Sequence, residues 1–170
     1  MIINSKSLLS LAPIKRMVPD KHREHGVTSG MSEAGYDIRI DQSIMFFGDS
    51  AGGVRTEHDE ATGIAVHRPF SGRFVIASAM EEFDMPTNLV GIVHDKSTWA
   101  RCGLSVFNTV IEPGWKGKLT LELVYHGNTE LMIPAGAGIA QVVFHSTTDE
   151  AQYTGKYQGQ PDGPVPARFE

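Results

Sequence analysis

The chain has 170 residues, 41% hydrophobic and 21% charged, with a formal net charge of −5. These figures fit a single folded domain and argue against global disorder or a charge-driven nucleic-acid or membrane binder. No apolar run reaches the ~18 residues of a membrane span. The opening segment MIINSKSLLSLAPIKR is too interrupted for a secretory leader, so a cytoplasmic location is expected. One cysteine, Cys102, cannot build a disulfide framework or a cysteine-based zinc cluster.

Eighteen glycines and nine prolines cut the chain into short segments, which favours strands over long helices. Asn4 or Ser5 caps a short predicted helix carrying Leu8, Leu9 and Leu11, and Pro13 stops it. Residues 16–32, polar and rich in charge and histidine, read as a loop. Tyr36, Ile38 and Ile40 then alternate with Asp37 and Arg39, and the apolar run 44–47 follows. Residues 48–63 read as an exposed loop of mixed charge. Segments 74–77, 89–93 and 104–107 are further strands, and PGWKG at 113–117 is a turn. It leads into a strand over 118–125, followed by short strands at 131–133 and 139–144 on either side of a PAGAG turn. From about residue 153 to residue 170 the chain is rich in Gly, Pro and Gln and reads as a mobile arm. The pattern is all-β: a sandwich, jelly roll or barrel, with a short N-terminal helix.

Two places carry chemistry. In the strand KLTLELVY, alternation puts Leu119, Leu121 and Leu123 on one face, with Thr120, Glu122 and Val124 on the other. Glu122 either faces water on the wet side of a sheet or sits in a pocket, where burial tunes a carboxylate for proton transfer. The stretch DKSTWAR at 95–101 gathers two cations, two hydroxyls and an indole, a set suited to phosphate oxygens or simply to solvent. It is not a nucleotide P-loop, and Ser97 has no assignable relay that would make it a nucleophile. His22 and His25 lack a third ligand, and the paired motifs of a zinc-dependent nucleobase deaminase are absent.

The run 96–144 resembles the dCTP deaminase branch of the dUTPase-like fold, with its motifs in order. STWAR at 97–101 is similar to the family's phosphate motif, IEPGWKG at 111–117 to its DPGW turn, and Leu121, Glu122 and Leu123 to its catalytic strand. A G-x-x-IAQ-x-x-F strand at 136–144, an EAGYDIRI segment at 33–40 and an arm motif GKYQGQ at 155–160 complete it. The resemblance implies a distorted dUTPase-like jelly roll or β-barrel, a homotrimer with sites shared between chains, and dCTP as substrate. It assigns Glu122 as general base and acid without zinc, and Arg101 and Ser97 as the groups that position the water. Lys96, Ser97 and Thr98 would hold the triphosphate, helped by Lys156, Tyr157 and Gln160 from the arm. Asn108, Thr109, Val110 and Ile111 would read base and sugar, with Glu112, Trp115 and Gln141 in the same substrate-binding set. Mg²⁺ would arrive on the nucleotide phosphates.

The chain departs from the family pattern at two points. Glu112 stands where the turn usually has aspartate, and Trp99 replaces the usual leucine, as packing or as an altered pocket wall. In dUTPases the turn aspartate activates the water that cleaves the α–β phosphate bond. The alternatives to a dCTP deaminase are therefore a bifunctional enzyme giving dUMP and pyrophosphate, a dUTPase alone, or a non-catalytic nucleotide-binding module.

Overall fold

The computed structural model describes residues 1–169. After a two-residue strand, β1 (Ile2–Ile3), comes the expected helix, α1 (Ser5–Leu11). Asn4 takes the N-cap position, but its side chain donates to Glu33 O at 2.6 Å instead of capping the helix. The helix ends at Ala12 in the left-handed region, just before Pro13.

The loop expected over 16–32 holds only for its first five residues and its last: 21–31 form a hairpin of β2 (Lys21–Glu24) and β3 (Val27–Met31), turned by His25 and Gly26 at φ 53° and 77°. Two successive positive φ values give the turn whose twist matches paired strands. β2 is exposed at every position, so it carries none of the apolar alternation that marks a strand in sequence.

The strands form three antiparallel sheets. The first runs β11 (Val110–Ile111), β9 (Leu89–Asp95), β14 (Gly138–Ser146), β4 (Tyr36–Arg39), β3 and β2, with β1 also on β14. The second orders β13 (Leu131–Ile133), β5 (Ser43–Phe46), β6 (Gly52–His58) and β7 (Ala65–Ser71). The third sets β12 (Lys116–Tyr125) between β10 (Leu104–Val106) and β8 (Phe74–Asp84). The chain is thus all-β with a short N-terminal helix, but its sheets stay open and do not close into a barrel.

The predicted loop at 48–63 is also corrected, since it contains β6, which pairs with β5 and β7. Its glycines mislead because they serve packing: a Cβ at Gly53 would strike Met45 O and the Phe70 ring. All three sheets contribute to one core, including Ile38, Phe46, Leu121, Leu123 and Phe144, each at most 1% exposed. Burying such a side chain stabilises the fold by roughly 1.5–3 kcal/mol. Leu121 and Leu123 thereby fix which way β12 faces, and that decides where Glu122 goes.

Candidate active site

With Leu121 and Leu123 held in the core, Thr120 and Glu122 line a cavity of about 490 Å³ on the other side, and Leu119, beside the bulge between Lys118 and Thr120, lines it too rather than sharing the face of the other two leucines. Glu122 lies opposite Ile76 of β8, and its carbonyl oxygen accepts the Phe107 N–H at 3.0 Å. Its Oε2 is buried with no hydrogen-bond partner. Burial pushes the Glu122 carboxyl above its ordinary value, and its own backbone N–H opposes that only in part. Thr109, Val110, Ile111 and Glu112 come to the same cavity from β11 and the residue on either side of it, joined by Trp115, Tyr157 and Gln160. Glu122 is therefore the pocket carboxylate of the two sequence readings, not a residue of a wet face.

The turn at 113–117 is the dock for the C-terminal arm. Trp115 Nε1 donates to Tyr157 O at 2.7 Å, and Tyr153 N donates to Pro113 O at 2.8 Å. Gly114, at φ 73°, leaves room for the Gln152 side chain, which lies about where a Cβ would be and donates to Gly114 O at 2.9 Å. Gly117 pairs in parallel with Gln160, and a Cβ there would lie 2.6 Å from Gln160 N. These glycines admit a second chain segment at backbone distance. The arm is therefore laid along its own chain's site in this structure, with Val165, Pro166 and Ala167 on the cavity wall.

Other expected site residues lie elsewhere. Ser97 and Thr98 are exposed on a four-residue helix, α2 (Ser97–Ala100), in the stretch read as a polar loop, and Arg101 at its C-cap is exposed too. None of the three lines the cavity within one chain. Lys96 is engaged in a buried ion pair: its Nζ lies 2.5 Å from Asp37 Oδ2 and 2.8 Å from Thr28 Oγ1, with side chains only 10% and 3% exposed for Lys96 and Asp37. Gln141 joins that network, donating to Ser32 Oγ at 2.8 Å and to Asp37 Oδ1 at 3.3 Å. Lys156 is exposed, with its Nζ on Arg168 O and 5.5 Å from the Tyr157 ring centre, and Asn108 is exposed beside the cavity. Trp99 is core, donating from Nε1 to Gly138 O at 2.7 Å, and it does not wall the pocket.

Residues 8–147 match the family model described as dCTP deaminase-like. The chain belongs to this family. It is 35% identical over 162 residues to the dCTP deaminase of Campylobacter concisus, covering 86% of each chain. It is 31% identical over 158 residues to that of Pseudomonas fluorescens, covering 86% of this chain and 84% of the relative. Among solved structures, the dCTP deaminase of Agrobacterium tumefaciens superposes with a TM-score of 0.55 at 16% identity, over 84% of this chain and 47% of that one. The dUTPase of phage phi11 of S. aureus superposes at 0.50 and 13% identity, over 81% and 88% of the two chains. These likenesses give the dUTPase-like fold.

In this dCTP deaminase-like chain several cavity residues escaped the sequence reading. Phe74, Ile76 and Thr120 lie on β8 and β12, and Val165, Pro166 and Ala167 on the arm. Thr120 was findable, because it shares Glu122's face two residues earlier. Val165, Pro166 and Ala167 lie beyond the arm motif at 155–160 and carry no pattern of their own that points to this cavity. Among the described residues no group of three or more His, Cys, Asp and Glu side chains gathers as a metal site, and no helix is long and apolar enough to cross a membrane.

Proposed function

We propose that this protein hydrolyses dCTP to dUTP and ammonia, with Glu122 moving the protons. The observation that supports this most strongly is the unpartnered, buried Glu122 Oε2 in a cavity whose walls are mainly apolar. Such a carboxylate lacks a counter-ion, so its basicity is raised by lost solvation. A general base with a raised pKa takes a proton from water more readily, and the acid it becomes is still able to give that proton up.

The hydroxide so formed adds to C4 of the cytosine ring. Glu122 gives that proton to N3 of the ring, takes a second one from the new C4 hydroxyl and passes it to the amine, the C4–N bond breaks as the C4 carbonyl forms, and ammonia departs. Water supplies the new oxygen and both protons. Exclusion of solvent by Trp115, Ile76 and the docked arm strengthens these interactions.

Ser97, Thr98 and Arg101 stand outside this cavity in a single chain, which agrees with a homotrimer in which α2 of one copy completes the site of another. Arg101 and Ser97 would then hold the water and the developing charge at C4, while Thr98 and the arm meet the phosphates. Mg²⁺ would come with the triphosphate as part of the substrate.

A second reading rests on Glu112, which lines the same cavity as Glu122. A carboxylate there is placed to activate a water against the α–β phosphate bond, giving dUMP and pyrophosphate. Incubating the protein with dCTP while following ammonia and pyrophosphate separately decides between the two. Ammonia alone marks the deaminase, and both products mark the bifunctional enzyme. Pyrophosphate from dUTP without ammonia from dCTP would overturn the proposal.

A further inference from the structure

One hydroxyl in the cavity has more to do than pack. Thr120 Oγ1 accepts the Val165 N–H at 3.0 Å and sits 3.1 Å from Gln160 Oε1. Thr120 is 8% exposed and lies two residues before Glu122 on the cavity face of β12. Two other anchors hold the same stretch of arm. Lys118 N donates to Gln160 O at 3.2 Å, and Lys118 Nζ pairs with Asp162 Oδ1 at 2.5 Å. Both of these lie on Lys118, outside the cavity lining, whereas the Thr120 contact reaches into it.

A hydroxyl has one proton to give. With the Val165 N–H aimed at the Thr120 oxygen, that proton is left for Gln160 Oε1. The Gln160 amide is thereby fixed in one sense: its oxygen is taken by Thr120 and its NH₂ is left for another acceptor. Gln160 itself lines the cavity.

We propose that Thr120 is a positioning residue, whose hydroxyl latches the arm across the cavity and turns the Gln160 amide so that its NH₂ meets an acceptor oxygen on the bound nucleotide. The latch and the orientation are one device, because both hydrogen bonds share one oxygen. An arm released from Thr120 also loses the Gln160 orientation. The effect on nucleotide binding rests on the deaminase reading, whereas the latch stands on the arm contacts alone.

The test uses the full chain and three variants. Thr120→Val keeps the shape and removes the hydroxyl, Thr120→Ser keeps the hydroxyl, and Val165→Pro removes the donor from the arm without touching β12. Two readouts are taken: the rate of tryptic cleavage after Lys156 in the ligand-free protein, and kcat and KM for dCTP. Losing two neutral hydrogen bonds should speed cleavage and raise KM roughly tenfold in Thr120→Val. kcat should change less than about threefold, as for loss of an interaction made equally in ground and transition states. Thr120→Ser should stay within about twofold of the parent on both readouts, since it restores the hydroxyl. Val165→Pro should also speed cleavage, though less than Thr120→Val, and adding it to Thr120→Val should change little, because the contact it removes is already gone there. Unchanged cleavage in Thr120→Val and Val165→Pro would overturn the latch, whether or not the protein turns over dCTP. Faster cleavage with unchanged KM would overturn the orientation of Gln160. If the parent releases no ammonia, the deaminase reading fails separately, and the cleavage rates still decide the latch.

Discussion

Glu122 and Ile76 face one another across β12 and β8, and both line the cavity. The carboxylate thus meets a hydrocarbon neighbour where a surface strand would offer water or a cation. That arrangement favours the protonated form in the folded protein, and it has a cost at neutral pH. Glu122→Gln should lower turnover of dCTP by about 10³-fold or more. The same change should raise Tm by on the order of 2–4 °C at pH 7, as removal of a destabilised functional group does. Calorimetry of the free protein checks the second outcome.

The sign of the pH effect follows from the direction of the shift. Glu122 is raised above its ordinary value of 4.5, so protonation stabilises the fold. That stability is full below the unfolded value and is lost as pH rises through the higher folded value. The Tm advantage of Glu122→Gln should therefore be largest near neutrality and vanish in acid. The activity runs the other way: kcat/KM should fall as pH drops through the raised Glu122 value, because the base must be ionised. A pH–rate profile whose acid limb lies above the ordinary carboxylate range agrees with this.

Glu112 separates the two phosphate readings. Glu112→Ala should lower ammonia release from dCTP far less than Glu122→Gln does, since its proposed role is at the phosphates and not in the proton transfers at C4. Any pyrophosphate release from dUTP should be lost in the same variant. Product analysis by chromatography with each nucleotide reads both outcomes.

Asp37 and Lys96 form a buried pair on which α2 begins. Asp37→Ala leaves the Lys96 ammonium buried without its partner, and should cost about 3–5 kcal/mol in urea unfolding. Adding Lys96→Met should recover most of that loss, because no charge then remains to be solvated. Recovery would identify the pair as structural rather than as a phosphate contact.

Trp115 ties the turn to the arm through one indole N–H. Trp115→Phe keeps a ring beside Phe83, now 6.0 Å away centre to centre, and deletes that donor. Tryptic cleavage in the arm should speed up about fivefold, the equivalent of roughly 1 kcal/mol for one neutral hydrogen bond.

Much of this was legible in the sequence where alternation and burial coincide. The leucines of β12 are both a pattern and a core, so the strand and the face of Glu122 could be read together. The PGW turn was legible as a turn, but its use as a dock was not, because the partners lie some 40 positions away, as for Trp115 and Tyr157 (42 apart). β2 and β6 were hidden for opposite reasons: β2 is exposed throughout, and β6 opens on two glycines that local reading assigns to loops. Lys96 reads as a phosphate ligand in sequence because a cation stands beside two hydroxyls, and only the tertiary fold brings Asp37 to it. Ser97, Thr98 and Arg101 could be placed by motif, but a single chain does not bring them to Glu122.

The most direct measurement is ammonia release from dCTP by the parent and by Glu122→Gln, taken with calorimetric binding of dCTP to the variant. The parent should liberate ammonia, while the variant still binds dCTP and liberates almost none. Ammonia release by Glu122→Gln at the parent's rate would contradict it.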